Sequence, residues 1–274
     1  MTFSELLSTL TSGLSGNRFE AEYIIDEVFG LRRGEIAFSS GGRTAAPDGV
    51  AAALDAMRRR QAGEPLQYIF RRAWFMNLEL EVEPAVLIPR PETELLVAFA
   101  AENAPRNARV LDIGTGSGAI ALGMFDLRRD LKVTAVDVSS AALAVARRNR
   151  DRCGFSAVEM VESNLFSALN GRVFDLVAAN LPYVSESELA ECPAEVRDFE
   201  PRLALTAPED GLRLIRLTVE QAPHFIASGG MLILEIGETQ DRAVAKLLET
   251  AGFTKIGVIA DYNGRPRIVH GRKA

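Results

Sequence analysis

Apolar positions recur along this chain with two different periods, and the change of period divides it. Phe3, Leu6, Leu7 and Leu10 follow one helical face, as do Ala21, Ile24, Ile25 and Val28, and Gly30 closes the second helix. Val50, Leu54 and Met57 mark a third helix, entered after Pro47-Asp48. Gly41-Gly42 and Ala45-Ala46-Pro47 read as loop. No strand pattern occurs here, so the stripes predict a small helical bundle with those residues as its core. Arg58-Arg59-Arg60 reads as a solvated helix face. Gly63-Glu64-Pro65-Leu66-Gln67-Tyr68-Ile69 is too polar for a core helix, and its proline argues for a turn or linker. The helical domain is expected to span residues 1–73.

The period then shortens. Leu78, Leu80 and Val82 alternate with Glu79, Glu81 and Glu83, which predicts a half-buried strand. Val86-Leu87-Ile88 follows the Pro84 turn as a second strand, making residues 74–90 a β-hairpin connector. Arg90-Pro91-Glu92-Thr93-Glu94 opens a helix, with proline at its first position and carboxylates where the helix dipole favours them. A second reading puts Arg90 to Thr93 on the rim of an active site. From 91 to 274 strand and helix patterns alternate. Strands are expected at Arg109–Ile113, Lys132–Val138, Val158–Val161, Val173–Ala179 and Met231–Ile236. Helices are expected from Gly118, over Ser140–Arg152, Gly211–Ile226 and Thr239–Ala251. A long loop carries Pro193, Pro201 and Pro208. The last strands, Thr254–Ile259 and Arg265–His270, flank the turn Asp261-Tyr262-Asn263-Gly264 and must be antiparallel, because the connection is too short for a crossover. The fold class is α/β, a doubly wound sheet with one reversed strand near its edge.

Composition narrows the chemistry. Among 274 residues, 47% are hydrophobic and 25% charged, which is ordinary globular usage. The net charge of −6 disfavours a bulk nucleic-acid binder. Cys153, Cys192, His224 and His270 show no metal-ligand spacing and no disulfide framework, so no metal and a reduced, cytoplasmic setting are expected. The N-terminus has no basic region before an apolar run, and no run is long enough to span a bilayer, so no membrane association is expected.

Two stretches carry candidate chemistry. The strand before Asn180 ends in Asn180-Leu181-Pro182-Tyr183, and in an open parallel sheet ligands bind just outside such ends. The Asn180 side-chain carbonyl and the Leu181 backbone carbonyl are two acceptors close together, suited to both hydrogens of a primary amide or exocyclic amine. Tyr183 could pack flat on the same planar group. The plainer alternative is a strand end followed by a proline turn. The second stretch is Leu111-Asp112-Ile113-Gly114-Thr115-Gly116-Ser117-Gly118, which leaves one strand and opens a helix. Its glycines permit close approach of the backbone to a ligand. Asp137 ends the next strand, where a carboxylate can hold two ribose hydroxyls. A glycine loop here indicates an adenosine-containing cofactor. Gly114, Gly116, Ala119 and Asp137 also fit a nicotinamide fingerprint, but no hydride-transfer acid is in view. Asp112 would repel a pyrophosphate and welcome a cationic sulfonium.

Taken together these motifs resemble the class I S-adenosylmethionine methyltransferases, and specifically the PrmC/HemK family of protein-glutamine N5-methyltransferases. The resemblance runs from Gly63 to the C-terminus through Gly63 to Tyr68, Ile88 to Glu94, Asp112 to Gly118, Asn180 to Tyr183, Glu200-Pro201, Asp210 to Leu212, Leu234 to Gly237 and Asp261 to Arg267. It implies a Rossmann-like seven-stranded sheet, residues 91–274, behind a helical substrate-recognition domain. It implies S-adenosylmethionine as cofactor, bound by Gly114, Thr115, Gly116, Ser117, Gly118, Asp137, Asn164, Leu165 and Asn180. It implies catalysis at Asn180, Leu181, Pro182 and Tyr183, and, as substrate, the glutamine of the Gly-Gly-Gln loop in class I peptide chain release factors.

Three departures stand out. Leu181 replaces the first proline of the family's Asn-Pro-Pro-Tyr; the backbone acceptor is kept, and Pro182 already restricts Leu181 to extended conformations. Asn164 stands for an acidic residue near the adenine, and Leu165 for an aromatic on its ring. Arg71 and Asn77 replace connector glycines. The rival readings are a nucleic-acid exocyclic-amine methyltransferase, a dehydrogenase, and a non-catalytic cofactor-binding module that docks on translation factors.

Overall fold

The computed structural model describes residues 1–31, 35, 42–207 and 210–274. Gly41 and Pro208, both expected in loops, lie outside the described residues. The chain forms two compact units, residues 1–71 with 194–199, and residues 72–193 with 200–274.

In the first unit α1 (Phe3–Gly13), α2 (Arg18–Phe29) and α3 (Pro47–Gln61) bury Phe3, Leu6, Leu10, Ile24, Ile25 and Ala53 against one another. A capping box starts α1: the Thr2 hydroxyl accepts from Glu5 N, and the Glu5 carboxylate accepts from Thr2 N. Gly30 ends α2 in the left-handed region. Two expectations need correction here. Residues 66–70, expected as a turn or linker, form the short helix α4 (Leu66–Phe70), because Leu66 and Tyr68 find buried sites once Pro65 has started the turn. The three arginines are not simply solvated. Arg58 pairs with Asp55, Arg59 with Glu64, and Arg60 bridges Glu20 of α2 at 2.9 Å and Glu195 at 2.5 Å. Glu195 lies in the short helix Ala194–Phe199, which clusters with this unit.

The second unit opens with a β-hairpin, but not the expected one. β1 (Arg72–Phe75) pairs antiparallel with β2 (Leu78–Glu81), in the register Arg72↔Glu81 to Phe75↔Leu78. Residues 86–88 form no strand. The Ile88 amide instead donates to the buried Glu200 carboxylate, which also receives Arg90 at 2.5 Å. Arg71 adopts φ +55 and Met76 φ +51, left-handed values that favour glycine.

The main sheet holds seven strands in the order β5-β4-β3-β6-β7-β9-β8. These are β3 (Arg109–Ile113), β4 (Lys132–Asp137), β5 (Glu159–Glu162), β6 (Phe174–Ala179), β7 (Ile226–Glu235), β8 (Phe253–Ala260) and β9 (Pro266–Lys273). All neighbours are parallel except β9, which runs antiparallel to both β7 and β8. Alternate residues face opposite sides. Val110, Leu176, Ala178 and Ile233 pack under α5 (Pro91–Asn103), α6 (Ala119–Leu127) and α7 (Ser140–Arg152). Leu111, Ile113, Val177 and Leu232 pack under α8 (Arg213–Gln221) and α9 (Asp241–Thr250). β7 begins at Ile226 and not at Met231, before a register irregularity against β6. The expected proline loop instead carries short helices at Glu186–Glu191, Ala194–Phe199 and Arg202–Leu205. The first starts on a Ser185/Glu188 capping box.

Candidate active site

β3, β4, β6 and β7 run parallel, so their carboxyl ends lie at one edge of the sheet. A cavity of about 500 Å³ opens there. The loop after β3 forms one wall. Gly114 and Thr115 donate their amides to Val136 O of β4 at 2.9 and 3.0 Å, which folds the loop back on the neighbouring strand. Gly114 and Gly116 adopt φ +74 and +56, and a Cβ on Gly116 would have nothing within 4 Å. Main chain there lies open to a ligand. Asp137 closes β4; its Oδ2 accepts from Gly116 N and its Oδ1 from Ser139 N, each at 2.9 Å. Burial raises its carboxyl above the ordinary carboxylate range. Asn164 and Leu165 line the same wall. Leu165 takes φ +50, and its carbonyl accepts from the Ser163 hydroxyl at 2.8 Å.

Asn180, Leu181 and Pro182, at the end of β6, form the other wall with Thr93 of α5. Asn180 Nδ2 donates to Thr93 Oγ1 at 3.2 Å, and Thr93 Oγ1 donates to Glu235 Oε2 at 2.7 Å. Among the described residues neither Asn180 Oδ1 nor the Leu181 carbonyl accepts a hydrogen bond. Leu181 is buried, and its Cδ2 lies 3.2 Å from where a Gly114 Cβ would stand. The leucine therefore packs the acceptor wall onto the glycine loop.

Three expected site residues stand elsewhere. Gly118 is not in the cavity wall; it caps α6 at φ +89, where a Cβ would meet Leu122 at 3.0 Å and Ala146 at 3.5 Å. It serves close helix packing. Tyr183 also lies outside the wall, its ring beside Gly237 and Arg267. Burial, with the nearby Glu235 charge, pushes its hydroxyl up to about 12. Asp112, expected to welcome a cation, sits behind the loop. Its Oδ2 accepts from Thr115 Oγ1 at 2.6 Å and Ala121 N at 3.2 Å, while Oδ1 has no partner among the described residues. Burial raises Asp112 to about 7.

Arg90 and Thr93 line the cavity, in keeping with the rim reading. Periodicity did not signal the contributions of Val138, Leu203 and Leu214 to the wall, nor the buried Glu235 behind Thr93. Burial raises the Glu235 carboxyl to about 7. The wall suits an adenosine cofactor: a carboxylate at the second strand end, open main chain at Gly116, and apolar side chains at Val138 and Leu165.

The comparisons agree with this architecture. Residues 5–70 match the PrmC N-terminal domain and residues 91–194 the methyltransferase small domain. A methyltransferase structure from Pyrococcus furiosus superposes with a TM-score of 0.56 at 19% identity, covering 84% of this chain and 100% of that one, which speaks for the fold. The release factor glutamine methyltransferase of Geobacter sulfurreducens is 38% identical over 260 residues, 95% of this chain and 91% of that protein. The Pseudomonas aeruginosa protein of the same name is 46% identical over 221 residues, 80% of each chain. With those identities sustained over nearly the whole length, the chain belongs to the release factor glutamine methyltransferase family.

Proposed function

We propose that this protein methylates the side-chain amide nitrogen of the glutamine in the Gly-Gly-Gln loop of class I peptide chain release factors, at the cavity walled by Asn180. The observation that carries the reading is the state of the Asn180 amide. Its Nδ2 is committed to Thr93, so Oδ1 is the atom left to accept, beside the unused Leu181 carbonyl. Two acceptors and no donor suit the two N–H groups of a primary amide.

Bound S-adenosylmethionine supplies a methyl carbon made electrophilic by its sulfonium. Asp137 would hold the ribose hydroxyls, and the main chain of Gly114 to Ser117 would accept the cofactor at close range. The Asn164 side-chain carbonyl would accept from the adenine amino group, with Leu165 against the ring. An amide nitrogen is a poor nucleophile because its lone pair is delocalised. Asn180 Oδ1 and the Leu181 carbonyl each accept one N–H, which holds the nitrogen in line and stabilises the positive charge that grows on it. Preorganised groups of this kind contribute roughly 3–4 kcal/mol each, and positioning supplies much of the remainder. The nitrogen then loses one proton to water. Pro182 stiffens the strand exit that carries both acceptors.

Residues 1–71 are assigned the recognition of the protein substrate, and the cytoplasm, where release factors act, is the proposed location. No described helix is long and apolar enough to cross a membrane. The test is incubation with labelled S-adenosylmethionine and a purified class I release factor, followed by peptide mass spectrometry. One added methyl on the glutamine is expected. Label on nucleic acid, or none on that peptide, overturns the reading.

A further inference from the structure

We infer that Thr93 and Glu235 are positioning residues which set the orientation of the Asn180 amide, so that its oxygen and not its nitrogen faces the acceptor substrate. The inference rests on the proposed role of Asn180. An asparagine amide is nearly symmetric in shape, and rotation by half a turn exchanges a carbonyl acceptor for an NH₂ donor. Flipped, Asn180 would present N–H groups to the N–H groups of the substrate amide, and the grip would fail.

What selects the orientation is the direction of two hydrogen bonds. Thr93 has a single hydroxyl hydrogen, and it is donated to Glu235 Oε2 at 2.7 Å. Toward Asn180, Thr93 Oγ1 can then only accept, and it does, from Nδ2 at 3.2 Å. The chain of donors runs one way, Asn180 to Thr93 to Glu235. An ionised carboxylate has no hydrogen to give and keeps that direction. Glu235 is buried at the end of β7, and Thr93 is buried in the first turn of α5. Both are held by rigid elements, and water has little access to compete. The charged and titratable groups facing Glu235 are Arg267 of β9, Arg90 and Glu92 at the start of α5, and Tyr183 after β6. Burial raises the Glu235 carboxyl to about 7, and the two arginines, against one further carboxylate, act the other way to keep it ionised, so its acceptor role is supported from two elements.

The experiment compares Thr93→Val, Thr93→Ser and Glu235→Gln with wild type. Turnover and KM for a release factor are measured, with cofactor affinity by calorimetry and the Asn180 side-chain amide signals by ¹⁵N NMR, assigned from their loss in Asn180→Ala. Thr93→Val keeps the shape but removes both hydrogen bonds. It is expected to lower kcat roughly 10–100-fold, as misoriented catalytic groups do, with cofactor affinity close to wild type. Its Asn180 amide protons should exchange faster. Thr93→Ser restores the hydroxyl and should restore both kcat and protection. Glu235→Gln offers Thr93 either a carbonyl or an NH₂, so it should lower kcat less than Thr93→Val and weaken protection. Wild-type kcat and unchanged amide exchange in Thr93→Val overturn the inference. So does a Thr93→Ser variant that stays as impaired as the valine. If Thr93→Val does not fold, Glu235→Gln decides by the same two readouts, and an unchanged pair of values overturns the inference. Absence of methyl transfer by wild type overturns the proposed function instead; the amide-exchange readout stands apart from it.

Discussion

The glycine-loop wall of the cavity and the Asn180 wall are built from different materials. The first is main chain: amides of Gly114 and Thr115 held to Val136 O, and Asp137 held by the amides of Gly116 and Ser139. The second is side chains in series, Asn180 to Thr93 to Glu235, drawn from three separate elements. Each wall has a buried carboxyl behind it, and burial raises both Asp112 and Glu235 to about 7. Yet Asp112 braces a loop against the N-terminus of α6, whereas Glu235 reaches the wall through a hydroxyl. A wall of main chain tolerates changes of side chain but not the arrival of a Cβ. A wall of linked side chains is sensitive to which atoms donate and which accept.

The contrast can be broken from either side. The largest expected effect on the main-chain wall comes from Gly116→Val. At φ +56 a β-branched residue is strained, and its side chain would enter the open space that Gly116 leaves. Cofactor Kd by calorimetry should rise at least about 100-fold, the sum of strain and lost room. A smaller effect follows from Asp137→Ala. Loss of charge-assisted hydrogen bonds to the ribose, worth about 1.5–3 kcal/mol, should weaken cofactor binding by roughly 10–100-fold. Turnover at saturating cofactor should change much less.

The smallest effect is on stability and concerns both walls together. The folded pKa of Asp112 and of Glu235 lies above the ordinary carboxylate value. The folded state therefore holds these protons more tightly than the unfolded chain does. Their contribution is fully present below the unfolded pKa, near pH 4, and is lost as pH rises through about 7. The ligand-free protein should lose melting temperature between pH 5 and about 8 from these groups, and the Asp112→Asn variant should show a flatter profile. A profile unchanged by that substitution would remove Asp112 from the account.

Much of this arrangement was legible locally. β3 and α7 lie at the expected residues, because a short run of buried apolar residues and the Ser139 cap act over a few positions. Gly114 to Ser117, Asp137 and Asn180, singled out by their places at strand ends, line one cavity. The failures are those of distance in sequence. Val86 to Ile88 read as a short apolar strand, but Glu200, 112 residues from Ile88, claims its backbone. β1 went unseen because its four residues place Trp74 in solvent, so its pattern is too short and too mixed. Thr93 is paired with a carboxylate 142 residues away, which no window of the chain contains. Gly118 and Tyr183 adjoin the same motifs, but Gly118 caps α6 and the Tyr183 ring lies beside Gly237.

The central claim is that Asn180 grips the acceptor amide and does not hold the fold. It is tested most directly by measuring, on Asn180→Ala, methyl transfer to a release factor alongside calorimetric titration of S-adenosylmethionine. The account predicts a fall in turnover on the order of 10²–10³, with cofactor affinity and melting temperature close to wild type. Turnover near the wild-type rate in the folded variant would contradict it.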